Sequence, residues 1–173
     1  LIQQLLPKTS EVHIFAGSSH QDLFYREAAA AAIDAGRFSF AVRWLEGKDL
    51  ADILEKASRL PPNSAILALS FYKDAAGNRH NPRDTILELV HASDVPVFGI
   101  TESYRDTGFI GGFLMSYSDQ ARRAVEISLE ILDGTPAFHF KPEYRDGYYG
   151  LCWAGLKKWG IPSNRIPYGS RVI

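Results

Sequence analysis

The chain has 173 residues, 19 Lys+Arg against 20 Asp+Glu, 46% hydrophobic residues and one cysteine. That length supports a core of ordinary domain size, and the near-zero net charge supplies no global field to attract nucleic acid or an anionic membrane. Cys152 alone cannot close an internal disulfide, no Cys/His cluster has zinc-ligand spacing, and no apolar run approaches the ~20 residues that span a bilayer.

The chain opens on a half-helix, Leu1 to Pro7, without an initiating Met and without the basic start and small-residue cleavage site of a secretory signal, so a piece of something longer is expected. Val12 to Ala16 is short, apolar and β-branched and predicts a strand that stops at Gly17-Ser18-Ser19. A helix follows, capped by Ser18 or Ser19 with Gln21 or Asp22 completing a capping box, and carried by an alanine run to Gly36. Phe38 to Leu45 predicts a second strand, and Leu50, Ile53, Leu54 and Ala57 share one face of the next helix, ended by Pro61-Pro62.

Ala65 to Leu69 is a continuous apolar run of the kind buried on both faces of a parallel sheet. Asn81-Pro82 starts a helix with Ile86, Leu89 and Val90 as its buried stripe, and Val95 to Ile100 is a fourth strand. Phe109 to Met115 predicts a fifth strand, and a helix capped by Ser118 carries Ala121, Ala124, Val125, Leu129 and Leu132 to Gly134.

This alternation predicts an α/β lobe, a doubly wound parallel sheet over 1–134. Residues 135–173 change character: from His139 onward six Lys/Arg face only Glu143 and Asp146, seven aromatics fall in 35 residues, and Ala154 to Trp159 is the one short helical stretch. A crossing segment or docking arm is expected there rather than another βα unit.

In doubly wound sheets ligands meet the loops at the carboxyl ends of the strands, here 17–22, 46–49, 70–74, 101–106 and 117–119. A phosphoacceptor receiver is excluded, because acids are needed where Ala16-Gly17-Ser18 and Leu69-Ser70-Phe71 stand. Gly17-Ser18-Ser19 before a helix offers a phosphate cradle, which keeps a flavodoxin-like flavin or phosphate carrier as the alternative, although small capping residues serve such turns without any ligand. There is no nucleophile elbow, no Walker motif and no metalloprotease motif, and Cys152 in an aromatic stretch reads as a small hydrophobe. Of the histidines only His20 sits in a ligand-side loop, while Asp74 and Glu102 are loop-end acids of the kind that cap or stay solvated. What the loops offer is Phe71, Tyr72 and Lys73 on one side and Glu102, Ser103, Tyr104 and Arg105 on another. Such surfaces suit a small polar ligand, an amino acid or sugar, that is stacked and hydrogen-bonded rather than transformed.

The stretches Leu60 to Gly77, Val95 to Ile100, Gly108 to Gly112 and Lys157 to Pro162 resemble the extracytoplasmic, ABC-transporter substrate-binding-type sensor regions of bacterial sensor histidine kinases and some diguanylate cyclases. The resemblance runs from Leu5 to Ser170. It implies a type I periplasmic-binding-protein fold in which 1–134 is the second lobe, 135–173 crosses towards a first lobe outside this chain and then towards a membrane helix, and ligand sits between the lobes. The implied role is the non-catalytic signal input of a two-component kinase, in the periplasmic portion of an inner-membrane protein. The expected partners are a small solute, the first lobe and, as a homodimer, a second copy of the chain, with no cofactor and no metal. By position, the ligand-side residues would be Ser18, Ser19, Phe71, Tyr72, Glu102, Tyr104 and Gly111. The chain departs from the group's Asp-Trp-Arg-like start to the terminal helix, carrying Cys152-Trp153-Ala154-Gly155 there.

Overall fold

The computed structural model describes residues 1–143 and 147–173, so Arg145 and Asp146, counted above in the tail's charge, lie outside the described residues. Seven strands form one sheet in the order β2-β1-β3-β4-β5-β6-β7. The first five, β1 (Glu11–Phe15), β2 (Ala41–Trp44), β3 (Ser64–Ala68), β4 (Val97–Gly99) and β5 (Gly111–Leu114), are mutually parallel. That is the doubly wound α/β sheet expected from the alternation. Its order reverses between β1 and β3, where the chain first runs outward to β2 and then returns to build the other half.

Helices lie on both faces, and their starts follow the side chains at the strand tips. Helix α1 spans Ile2–Leu5. Helix α2 (His20–Ala35) begins on a complete Ser19–Asp22 capping box, in which each side chain accepts from the other residue's backbone N–H. Helix α3 (Leu50–Ala57) is capped by Asp49, and α4 (Pro82–Ala92) by Asn81 with Pro82 at its first position. Helix α5 (Tyr117–Leu132) is capped by Ser116, whose Oγ accepts from Asp119 N. The cap thus falls two residues before the expected Ser118, because the chain leaves β5 directly into the helix.

The buried stripes of α3 and α4 dock on one face: Leu50, Ile53, Ile86 and Leu89 join Phe15, Ile66, Val97 and Leu114 in the largest cluster. On the other face α2 lies over Val12, Ile14 and Leu69. The expected apolar face of α5 finds no such partner, since none of its residues is buried and Val125, Leu129 and Leu132 are exposed.

Residues 147–173 contain more than the one helical stretch expected. Strand β6 (Tyr148–Leu151) runs antiparallel to β5, helix α6 occupies Trp153–Lys158, and β7 (Arg171–Val172) pairs parallel to β6. Leu151, Leu156 and Ile161 are buried with Leu5, Ala65, Phe98 and Ile110, so the two ends of the chain share one core cluster. The close β5–β6 approach depends on glycine. Gly111 sits at a φ of 130°, and a Cβ there would strike the Gly150 carbonyl oxygen.

Candidate functional site

The carboxyl-end rim of the sheet is organised around Asp22, which is fully buried. Its carboxylate accepts from Ser19 N at 2.9 Å, from Ser70 Oγ at 2.7 Å and from Tyr72 N at 3.1 Å. One acid therefore binds the start of α2 to the loop after β3. The Gly17–Ser19 turn is closed by the same loop: Gly17 N donates to Ser70 O and Ser18 N to Lys73 O. Ser18 Oγ donates to Asp74 O at 2.7 Å. With the amides of Gly17, Ser18 and Ser19 each already bonded within the chain, they are not open to a phosphate, and the cradle that a flavodoxin-like carrier would use at this turn is not formed.

Two clefts flank the point where the sheet order reverses. The first, of about 330 Å³, lies over the ends of β3, β4 and β5 beside the first turns of α2. Tyr25, Tyr72, Tyr104 and Tyr117 line it, together with polar groups of Gln21 and Ser103. Each ring comes from a different element: Tyr25 from the second turn of α2, Tyr72 from the β3 loop, Tyr104 from the 3-10 turn Glu102–Tyr104, and Tyr117 from the first turn of α5. Tyr104 is buried and its hydroxyl donates to Leu69 O, which fixes the floor of the cleft, while Tyr72 and Tyr117 are half exposed at its mouth. Burial above all, with the neighbouring tyrosines and Asp22 adding to it, pushes the Tyr104 hydroxyl well above its ordinary pKa. Burial and the proximity of Tyr117 raise Tyr25 as well.

The second cleft, of about 260 Å³, opens over β1 and β2 and is lined by Ser18, Arg26, Glu46, Phe71 and Asp74. Phe71 forms its wall from below, buried and stacked on Phe15 with ring centroids 4.7 Å apart. Asp74 is closed off by its own loop, accepting from Asn78 N at 2.8 Å, Asn78 Nδ2 at 3.0 Å and bonding to His80 Nε2 at 3.0 Å. Arg26 is spoken for by Glu46 at 2.7 Å and by the face of Trp44 at 4.4 Å.

The seven sequence-derived positions thus separate. Tyr72 and Tyr104 line the first cleft, and Ser18 and Phe71 the second. Ser19 serves as the α2 cap. Glu102 braces the first cleft from behind: its Oε1 accepts from Tyr117 N at 2.8 Å and its Oε2 from the Tyr148 hydroxyl at 2.9 Å. Asp74 and Glu102 therefore do not form a carboxylate pair across the loops, because each is satisfied locally. Gly111 opens β5 at its amino end, away from the ligand-side rim, and its role there is the β5–β6 approach rather than ligand contact. Tyr25 and Tyr117 were absent from the sequence-derived set. Tyr117 stands in a loop read as ligand-side, and Tyr25 follows Gln21 by four residues on a helix that starts at a strand tip, the spacing that aims both at that tip. Among the described residues no three His, Cys, Asp or Glu converge as a metal-ligand set, and no helix is long and apolar enough to cross a membrane.

The fold and this rim define the class: a doubly wound α/β domain with its clefts at the carboxyl ends of parallel strands. Among solved structures the chain is similar to the ABC domain in complex with L-Trp from Streptococcus pneumonia, with a TM-score of 0.70 at 14% identity over 100% of this chain and 58% of that one. It is similar also to a conserved domain protein from Vibrio cholerae O1 biovar eltor str. N16961, with a TM-score of 0.68 at 15% identity over 98% of this chain and 57% of that one. The chain therefore spans a little over half the length of these neighbours. No protein-family model and no curated protein matches the sequence.

Proposed function

We propose that this chain is one half of a solute-binding site, in which the tyrosine-lined cleft over β3, β4 and β5 holds a small molecule and a facing lobe closes over it. The observation that carries this reading is the convergence of four tyrosines, from four separate elements, on a cleft of about 330 Å³ at the ligand-side rim. Partly exposed aromatic rings over a buried, hydrogen-bonded Tyr104 bind by stacking and hydrogen bonding. The similarity in fold to a domain solved in complex with L-Trp supports an amino acid as the first ligand to try. The finer reading is that the domain is the non-catalytic signal input of a bacterial two-component sensor kinase, placed outside the cytoplasmic membrane, with lobe closure passed on through the tail. It rests on the sequence motifs of Leu60 to Gly77, Val95 to Ile100, Gly108 to Gly112 and Lys157 to Pro162.

Isothermal titration of the folded chain, and of the protein with its facing lobe, against L-tryptophan, other amino acids and sugars tests the first part. Saturable heat that is lost in Tyr72→Ala is expected. Absence of binding by every solute, with the melting transition intact, would overturn it. An open reading frame that continues past Ile173 into a membrane helix and a kinase domain is the expected context for the second part, and any other continuation contradicts it.

A further inference from the structure

The charge around the tyrosine cleft is one-sided. No Lys, Arg or His lines it among the described residues. Two carboxylates stand directly behind its wall: Asp22 holds the lining residues Ser70 and Tyr72, and Glu102 holds the lining residue Tyr117. The four rings line the space without stacking on one another, since the aromatic pairs of the described residues include Tyr25 only with Phe24 and Tyr104 only with Phe109. Tyr72 and Tyr117 are about half exposed at the opening, at 46% and 50%.

Aromatic faces carry negative quadrupole density, and a weakly hydrated cation close to several of them is attracted without needing a hydrogen-bond acceptor. An anion in the same space would meet the ring faces with two carboxylates behind them, while the nearby cation Arg171, over the Tyr148 ring that bonds Glu102, lies outside the cleft lining. We propose that this half of the cleft takes the cationic end of its ligand, an alkylammonium or quaternary ammonium head group, caged by Tyr25, Tyr72 and Tyr117 above Tyr104. The inference rests on the reading of this cleft as a solute site and names the ligand chemistry it selects. A zwitterion would accordingly place its ammonium end here and leave its carboxylate for the facing lobe. The hydroxyl of Tyr104 is committed to Leu69 O, so the buried ring at the floor offers an anion no free phenolic donor.

Four probes separate the possibilities on the folded chain by calorimetry and chemical-shift titration: choline, its neutral isostere 3,3-dimethylbutan-1-ol, the isosteric anion 3,3-dimethylbutanoate, and L-tryptophan. Choline is expected to bind about tenfold more tightly than the alcohol, as one to two desolvated cation–π contacts provide, with the carboxylate weakest. Tyr72→Leu and Tyr117→Leu should each lose the difference between choline and the alcohol, while Tyr72→Phe and Tyr117→Phe retain it, since the ring and not the hydroxyl carries the attraction. Binding of the alcohol or the carboxylate as tight as that of choline, or of L-tryptophan without choline, would overturn the cationic class and leave the cleft standing. Failure of all four probes, with the melting transition unchanged, would overturn the cationic class, while the cleft reading falls only if the wider series of amino acids and sugars also fails on the chain and on the protein with its facing lobe.

Discussion

Asp74 shows how a single side chain decides whether a rim loop is structure or site. The loop after β3 doubles back on itself, bridging Lys73 to Arg79 and turning at Gly77, whose φ of 94° suits glycine. The side chain of Asp74, 1% exposed, sits inside that turn and is bonded by Asn78 and His80. Burial by itself would raise its carboxyl pKa, but the hydrogen bonds from His80 and Asn78 outweigh burial and hold it well below the usual carboxylate range. A carboxyl depressed in the folded state binds its proton more readily when unfolded, so its contribution is whole above the unfolded pKa of about 4 and drains away as pH falls further. Asp74→Asn should therefore cost about 2 kcal/mol at neutral pH and flatten the loss of stability between pH 4 and 2, read by urea denaturation across that range. Parallel acid limbs in the two proteins would sink the assignment. The same residue explains what sequence could not reveal of the site. Loop acids and tyrosines were visible in the strand-end segments, but whether an acid faces solvent or its own turn depends on bonds between residues such as Asp22 and Ser70, 48 positions apart. Tyr72 and Tyr104 were legible as ring surface next to strand ends; Tyr25 was hidden inside an alanine-rich helical pattern whose period says nothing about a cleft at its tip.

Among the elements, α4 and α5 carry similar apolar patterns and meet opposite fates. In α4 the stripe of Ile86 and Leu89 is completely buried against the sheet. In α5 Val125 and Leu129 are 58% and 56% exposed, and the helix is held by polar contacts: by Glu102 at Tyr117 N at its start, and in its middle by Arg123, which bonds Glu143 at 2.6 Å. Amphipathic period alone measures a helix's capacity to bury a face, and a covering surface must also exist. Leu89→Ala should cost about 3 kcal/mol through transfer and cavity terms, whereas Leu129→Ala should cost less than about 0.5 kcal/mol, with both read by chemical denaturation. A large loss for Leu129→Ala would mean that α5 buries its face in solution. The five parallel strands were legible for a related reason: β-branched runs bounded by turn residues pay their way in any context, and β1 and β3 fall within a residue of the expected runs. Strands β6 and β7 were not legible, because four residues including Gly150 and two residues at Arg171–Val172 carry no period of their own and become strands only through the edge of β5.

For the whole molecule the decisive fact is that both chain ends meet in one cluster. Leu5 from α1 and Leu151, Leu156 and Ile161 from the tail are all buried against Ala65, Phe98 and Ile110 of the central strands. Arg165 Nη1 donates to Leu5 O at 3.4 Å, and Cys152 N to Ile110 O at 2.7 Å, so the tail also supplies hydrogen-bond partners to the first and fifth parts of the lobe. A doubly wound lobe of five strands would be closed by its own crossover helices, but here α5 leaves the sheet uncovered and β6 satisfies the outer edge of β5 instead. Removal of 135–173 would expose that edge, a template for pairing with other chains, and strip the cluster of three large side chains, each carrying about 1.5–3 kcal/mol of burial. The loss is of the same size as the whole stability of an ordinary domain. A chain ending at Gly134 should therefore lack a cooperative thermal transition, bind a hydrophobic dye and sediment as aggregates, while the full chain melts in one step. A truncated chain that melts cooperatively within a few degrees of the full one would show instead that α5 can fold back over the sheet and close the lobe without its tail.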